Sequence, residues 1–291
     1  MSVVLLTGAT GFLGSHILSA LLENNVDVVA LKRSSSDMWR IKHLADRVRF
    51  YDVDQVPVDK AFAENSIDTV IHTACQYGRK NEPIAEIVES NLMFGLNVLE
   101  AAVNHKTSLF VNTDSFLKKN ISAYSLSKKQ FVEWTHRFSG DIAVANMKVE
   151  HMYGPKDDAN KFVSWFISEL DKKTPEIKLT KGVQLRDFIY IDDVVSAYLC
   201  VLKNSAKIKG FQEFEIGTGM SVSVKEFIER LKSIYDKTVA KTDVVLNFGA
   251  IPYRESEVMS MTVDTKKIKA FGWDIKTLPE KGLEYTLRDK K

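Results

Sequence analysis

The sequence predicts an α/β chain: a doubly wound parallel sheet followed by a smaller C-terminal mixed α/β lobe. Three observations carry that expectation. Short β-rich apolar runs alternate with longer amphipathic ones through the first half, a glycine-rich turn joins the first run to the first helix, and the alternation loosens after about residue 150. Such alternation needs right-handed crossovers and gives a parallel sheet covered on both faces.

The strand runs are "SVVLLT" (2–7), "DVVALK" (27–32), "RVRFYD" (47–52), "DTVIHT" (68–73), "SLFVNT" (108–113) and "DIAVANMK" (141–148). Between them, apolar residues recur at helical spacing over 12–23, 84–104 and 123–138. Gly154-Pro155 marks a turn, after which a helix near 160–171, a strand near 184–191 and helices near 193–203 and 223–235 are expected. Residues 1–150 are therefore assigned to the sheet domain, and 151–291 to a lobe resting on it, with some chain crossing back. There is no internal repeat, and the serine run 34–36 is too short to be a linker.

Composition narrows the function. An apolar fraction of 45%, a charged fraction of 27% and a net charge of +2 describe an ordinary globular chain. Neither nucleic acid nor an acidic membrane is an expected partner. No segment approaches the roughly 20 apolar residues of a membrane span, and no basic region precedes the first apolar run, so a cytoplasmic protein is expected. Cys75 and Cys200 lie far apart in apolar contexts and read as buried thiols of a reducing compartment, not as a disulfide or a metal site. His43, His105 and His136 lack the spacing of a metal site, so no metal is expected.

Between the first strand and first helix lies "TGATGFLG", with Gly8, Gly11 and Gly14 three apart. A tight turn into a helix N-terminus lets a pyrophosphate approach backbone N–H groups, which is the Rossmann-type dinucleotide arrangement. Thr10, Phe12 and Leu13 share that turn. At the end of the second strand an acidic residue would hold ribose hydroxyls, whereas "ALKRSSS" has Lys32, Arg33 and Ser34 there. Basic residues suit a 2′-phosphate, so NADPH is favoured over NADH. Lys32 and Arg33 also read as solvated loop charges.

The segment "AYSLSKKQFVEW" (123–134) puts Tyr124 and Lys128 at i and i+4 on one face of a helix. A free phenol has a pKa near ~10, and a lysine ammonium nearby makes its proton easier to give up. The preceding strand ends in "VNTDS", bringing the hydroxyls of Thr113 and Ser115 to the edge where a doubly wound sheet receives its cofactor.

Together these motifs resemble the extended short-chain dehydrogenase/reductases, the sugar-nucleotide epimerases, dehydratases and reductases. The resemblance runs through nearly the whole chain: "VIHTAC", Asn91 in "ESNLMFGLNVLEAA", "MYGP" (152–155), "LRDFIYIDDVVSAY" and "YRESEV" followed by "DTKKIKAFGW". It implies a catalytic set of Thr113 or Ser115 with Tyr124 and Lys128. It also places Asp52 and Val53 at the adenine, Thr73, Ala74 and Cys75 along the cofactor with the family's structural Asn, Asn91, grouped with them, and Arg186 and Arg254 on a substrate diphosphate. His151, where the family commonly has Asn, reads either as a substrate contact or as a packed structural residue. A homodimer built on two helices of each chain is implied by the resemblance alone.

Within that family, "CQYGRKNEPIAEIVESN", "MKVEHMYGP" and "KLTKGVQLRDFIYIDDV" look like the CDP-paratose and CDP-abequose synthase group. These reduce the C4 ketone of nucleotide-activated deoxyhexoses for surface polysaccharides. Only ten residues separate Thr113 from Tyr124, as in that group, and Ser115 stands where dehydratases carry a second acid. An NADPH-dependent 4-ketoreductase of a nucleotide sugar is therefore expected. The competing readings are an NAD-retaining 4-epimerase and a non-catalytic dinucleotide-sensing protein.

Overall fold

Strand β1 (Val3–Thr7) has four buried residues of five and lies inside a seven-stranded sheet. The computed structural model describes residues 3–288, so Ser2, the first residue of the strand expected at 2–7, lies outside the described residues. The chain continues through α1 (Phe12–Glu23), β2 (Asp27–Lys32), β3 (Arg49–Asp52), α2 (Asp59–Ala63), β4 (Thr69–His72), α3 (Ile84–Val88), α4 (Phe94–Asn104), β5 (Leu109–Ser115), α5 (Ala123–Arg137) and β6 (Ala143–Val149). It then forms β7 (His151–Tyr153), α6 (Phe162–Asp171), β8 (Glu176–Leu179), β9 (Leu185–Arg186), β10 (Phe188–Tyr190), α7 (Ile191–Lys203) and β11 (Phe211–Ile216). Last come β12 (Val222–Ser223), α8 (Val224–Thr238), β13 (Val245–Phe248), α9 (Lys266–Ala270) and α10 (Pro279–Arg288).

The doubly wound sheet expected from the alternation is present, in the order β11-β6-β5-β4-β1-β2-β3, and β1 to β6 pair in parallel throughout. The winding reverses between β1 and β4, which opens a crevice at their carboxyl ends. Leu5, Val29, Val70, Phe110 and Val144 from the strands join Val98, Leu99 and Phe131 from α4 and α5 in one buried core. Polar residues are built into the same sheet. Asn112 donates to Asn146 Oδ1 at 2.7 Å, and Asn146 donates to Glu213 Oε2 at 2.9 Å, stitching β5 to β6 and β6 to β11.

Two departures from the expected elements matter for the site. The helix predicted over 84–104 is interrupted by a π turn at Glu89–Met93, around the buried Asn91. The strand predicted near 184–191 divides into β9 and β10, because buried Asp187 turns inward and accepts from the Thr218 and Gly219 N–H groups and the Thr218 hydroxyl.

The chain forms two units. The first runs to Val149 and takes in Val195–Glu215 and Ala270–Gly272; the second holds Glu150–Val194, Ile216–Lys269 and the chain from Trp273. The second holds three two-stranded pairs, β7 with β10, β9 with β12 and β8 with β13, and an aromatic cluster in which Tyr153 of β7 and Phe188 and Tyr190 of β10 meet Phe227 of α8. Among the described residues no helix is long and apolar enough to cross a membrane, and no group of three or more His, Cys, Asp or Glu could hold a metal ion.

Candidate active site

Helix α5 is started by Ser122, whose Oγ accepts from Ser125 N–H while Ser125 Oγ accepts from Ser122 N–H. This capping box fixes the first turn, so Tyr124 stands at its opening and Lys128 follows one turn later on the same face. Lys128 is almost fully buried and Tyr124 half-buried. Ser127, between them, donates to the Tyr124 carbonyl at 3.0 Å and accepts from Asn91 Nδ2 at 3.1 Å.

Thr113 and Ser115 project from the tip of β5 on the same side, as strand alternation requires. The Thr113 hydroxyl lies 2.8 Å from the phenol oxygen of Tyr198 on α7, within the same unit. The Ser115 hydroxyl has no hydrogen-bond partner at ordinary length among the described residues, yet it faces the Tyr124 phenol closely enough to favour its ionised form. Between the two hydroxyls, Asp114 is buried and its Oδ2 is engaged by the Lys129 ammonium at 2.5 Å. Lys129 also donates to the Ser115 carbonyl at 2.6 Å, which pins the strand tip.

Electrostatics here are governed by burial. Desolvation raises the Tyr124 phenol well above its ordinary value, with Cys75 and Asp114 adding to the rise, while Ser115 and the Arg79 guanidinium oppose it. Desolvation likewise pushes the Lys128 ammonium below its usual range, against the pull of Cys75 and Asp114. Lys128 was expected to make the Tyr124 proton easier to give up; in this structure burial is the largest influence on the phenol, and the cation that lowers it stands on the loop after β4. His72, fully buried at the end of β4, is held neutral, its pKa lowered to about 3 by desolvation and by Lys128.

The glycine turn suits a dinucleotide. Gly8 has φ +71°, and a Cβ there would meet Ala74 N and Thr73 Oγ1 at 2.7 Å. Gly11 caps α1 without a side-chain hydrogen bond, and no acidic residue occupies the first turn. The first-turn N–H groups are thereby left for an anion. Phe12, Leu13 and Gly14 are buried and present only backbone; the Thr10 carbonyl accepts from Arg40 Nη1 at 3.2 Å. Thr73 and Ala74 bind back to Thr7, at 2.8 and 3.2 Å, and half-buried Cys75 follows them.

At the ends of β2 and β3, Lys32 and Ser34 are both committed to Asp52, at 3.2 and 2.8 Å. Desolvation alone would raise Asp52; the Ser34 hydroxyl, the Asp54 N–H and Lys32 hold it below the usual carboxylate range. Arg33 is the exposed cation of the three. Val53 N–H closes the pair of strands by donating to the Lys32 carbonyl. Asn91 has no exposed surface: its amide accepts from Gln76 N–H and donates to the Gln76 carbonyl and to Ser127. Its place is that of a strut between the loop after β4 and α5, in keeping with a structural Asn, and its side chain presents no surface to a cofactor.

In the second unit, buried Arg186 donates to Glu257 and to the Leu185 carbonyl. Glu257 N–H in turn donates to the Arg254 carbonyl at 3.0 Å, so one short segment joins the exposed Arg254 to the Arg186 guanidinium. His151 is exposed, with Nδ1 3.1 Å from Glu150 and its ring edge-on to Phe188. Tyr198, Arg79 and Arg40 escaped sequence reasoning. Tyr198 is 85 residues from its partner, and no local pattern announces it.

A buried lysine one turn after a tyrosine, hydroxyls at the neighbouring strand tip and a glycine-lined helix start define an NAD(P)H-dependent oxidoreductase of the short-chain dehydrogenase/reductase class. The chain belongs to the NAD dependent epimerase/dehydratase family, whose model matches residues 4–217. It is 34% identical over 295 residues to CDP-abequose synthase of Salmonella typhimurium, covering 98% of this chain and 97% of that one. It is 33% identical over 297 residues to CDP-abequose synthase of Salmonella muenchen, covering 99% and 98%. The fold matches UDP-glucose 4-epimerase of Thermotoga maritima, solved with UDP-glucose, with a TM-score of 0.84 at 23% identity, covering 99% and 98%.

Proposed function

We propose that this enzyme uses NADPH to reduce the C4 ketone of a nucleotide-activated deoxyhexose, a 4-keto-6-deoxy or 4-keto-3,6-dideoxy sugar, for surface polysaccharide synthesis. The observation that carries the reading is the tip of β5, where Thr113 and Ser115 offer hydroxyls and the one carboxylate between them, Asp114, is occupied by Lys129. Such a site can move one proton beside a hydride transfer, and it lacks the second acid that elimination of water needs. The two relatives at 33–34% identity favour a CDP-linked substrate.

When bound, the reduced nicotinamide supplies hydride to the ketone carbon. Tyr124 gives its phenol proton to the ketone oxygen as negative charge gathers there. The hydroxyls of Thr113 and buried Tyr198 share a hydrogen bond; with Tyr198 donating in it, the Thr113 proton is left to hydrogen-bond the same ketone oxygen. Ser115 stands beside the Tyr124 phenol. Lys128 holds the nicotinamide ribose, the first turn of α1 holds the pyrophosphate, and Arg33 receives a 2′-phosphate. Arg186 and Arg254 grip the substrate diphosphate, a role that suits the guanidinium fork. Exposed Met93 and Trp134, at the start of α4 and on α5, support association into a homodimer through those helices.

The test is to supply the purified protein with NADPH and 4-keto-deoxyhexoses carrying cytidine, thymidine, guanosine or uridine diphosphate. Consumption of NADPH with the cytidine compound by wild type and not by Tyr124→Phe supports the proposal. Retained NAD, with no consumption of added NADPH on any substrate, overturns it in favour of epimerisation.

A further inference from the structure

The loop after β4, "CQYGRK" (75–80), meets α5 through an unusual stack. The Tyr77 ring lies on the Tyr124 ring, with centroids 4.8 Å apart and planes at 31°. The Arg79 guanidinium carbon lies 5.0 Å from the centroid of the Tyr77 ring. Two aromatic rings and a cation are thus arranged in sequence, and the innermost ring is that of the proton donor.

The loop is held in this pose from both sides. Gln76 is clamped by Asn91, which accepts from its N–H at 2.6 Å and donates to its carbonyl at 2.9 Å. Asn91 also reaches Ser127 on α5, so the clamp references the loop to the helix that carries Tyr124 and Lys128. The π turn at Glu89–Met93 puts Asn91 where it can serve both. After Tyr77 the chain reverses at Gly78, with φ +70°, and a Cβ there would meet Ile87 Cδ1 at 2.6 Å. A side chain at 78 would push the loop off α3, and Tyr77 and Arg79 with it.

We propose that Tyr77 and Arg79 form an aromatic–cation arm, Tyr77 orienting the Tyr124 ring against which it stacks and Arg79 holding a guanidinium charge over the Tyr77 ring. The proposal rests on the reading of Tyr124 as the proton donor. Among the described residues, the charged and titratable groups that act on that phenol are Cys75 on the same loop, Asp114 on β5 and Arg79, while Lys128 follows one turn along α5. Cys75 and Asp114 disfavour the phenolate, so Arg79 is the counterweight supplied from outside the helix. A phenolate forms as the proton leaves, and a cation near its ring favours that state. Tyr77 holds the ring in place, and its flat face accepts the guanidinium. Arg79 is exposed, so its influence is partly screened by salt, and that gives a signature that packing alone cannot produce.

The experiment compares wild type, Arg79→Gln, Arg79→Lys, Tyr77→Phe, Tyr77→Leu and Tyr124→Phe in pH profiles of kcat for NADPH-dependent ketone reduction. In parallel, the Tyr124 phenol is titrated by NMR of ring-carbon-labelled tyrosine, with its signal assigned by its absence from Tyr124→Phe. Tyr124 must be protonated to act, so activity falls as pH rises through its pKa. Arg79→Gln moves that limb and the NMR titration to higher pH by roughly half a unit or more. It also lowers kcat near neutrality about threefold to tenfold with KM for NADPH unchanged. Arg79→Lys and Tyr77→Phe stay close to wild type, and Tyr77→Leu lowers kcat. In wild type the limb moves up with added salt, and in Arg79→Gln it does not.

An unchanged kcat near neutrality and an unchanged salt response in Arg79→Gln overturn the proposal. So does a loss confined to KM for the sugar nucleotide, which would make Arg79 a substrate contact. If Tyr124→Phe itself keeps full activity, the underlying assignment of the proton donor fails. If Tyr124→Phe is inactive while Arg79→Gln matches wild type, only the arm fails.

Discussion

The Thr113 hydroxyl and the Tyr198 phenol lie 2.8 Å apart, and Tyr198 is fully buried. Desolvation raises the Tyr198 phenol, so it keeps its proton, and in the proposed site it donates a hydrogen bond to Thr113 Oγ1. Thr113 then keeps its own hydrogen for the ketone oxygen, and chained hydrogen bonds reinforce one another. Tyr198→Phe should lower kcat about threefold to tenfold, the worth of one hydrogen bond. Thr113→Val should cost about a hundredfold or more, and Ser115→Ala clearly less. Steady-state kinetics of the three variants decide between the hydroxyls; a larger loss in Ser115→Ala than in Thr113→Val transfers the role to Ser115.

Removing the proton donor leaves hydride transfer without a local acid. Tyr124→Phe should reduce kcat by about 10²–10⁴-fold, with far-ultraviolet dichroism unchanged. Lys128→Met replaces a buried ammonium by a thioether of similar length. It should raise KM for NADPH as well as lowering kcat, because the ribose loses its anchor. An effect of Lys128→Met on kcat alone would remove the ribose from the account.

Cofactor choice turns on Arg33, because Lys32 and Ser34 are tied to Asp52. Arg33→Ala should lower kcat/KM for NADPH about 10–100-fold, the value of charge-assisted hydrogen bonds to a phosphate. The same variant should change NADH turnover little. Equal losses with both cofactors would place Arg33 away from the 2′-phosphate.

His72 links pH to stability. Its pKa in the folded chain is about 3, against an ordinary value near 6.5, because its site is dry and near Lys128. Between those values the unfolded chain binds a proton that the folded chain refuses. Stability is therefore lost as pH falls through that window, by at most about 1.4 kcal/mol per pH unit. Denaturant melts at pH 6.5 and pH 4.5 should show a drop in wild type exceeding that in His72→Phe by about 2–3 kcal/mol. Parallel drops in the two proteins would show that His72 titrates normally.

Much of the first unit was legible in the sequence because its information is local. "TGATGFLG" specifies a tight turn that needs glycine, and "AYSLSKKQFVEW" carries the Tyr–Lys spacing. The doubly wound order follows from strand–helix alternation. What was missed depends on contacts distant in sequence. Tyr198 serves Thr113 from another helix, a π turn around Asn91 interrupts an apparently regular helix, and Asp52 draws in the residues expected to hold a phosphate. The buried Asn112–Asn146–Glu213 chain sits in strands that read as apolar, because a hydrogen bond across a sheet leaves no trace in either strand alone.

The most direct test of the proposed ketoreduction is to incubate the protein with NADPH deuterated at the transferring position and a CDP-4-keto-3,6-dideoxyhexose, then record NMR spectra of the product. One equivalent of NADPH consumed, deuterium at C4 and a single C4 alcohol epimer are the expected result. A product with no deuterium at C4, or turnover with NADPH left intact, would contradict it.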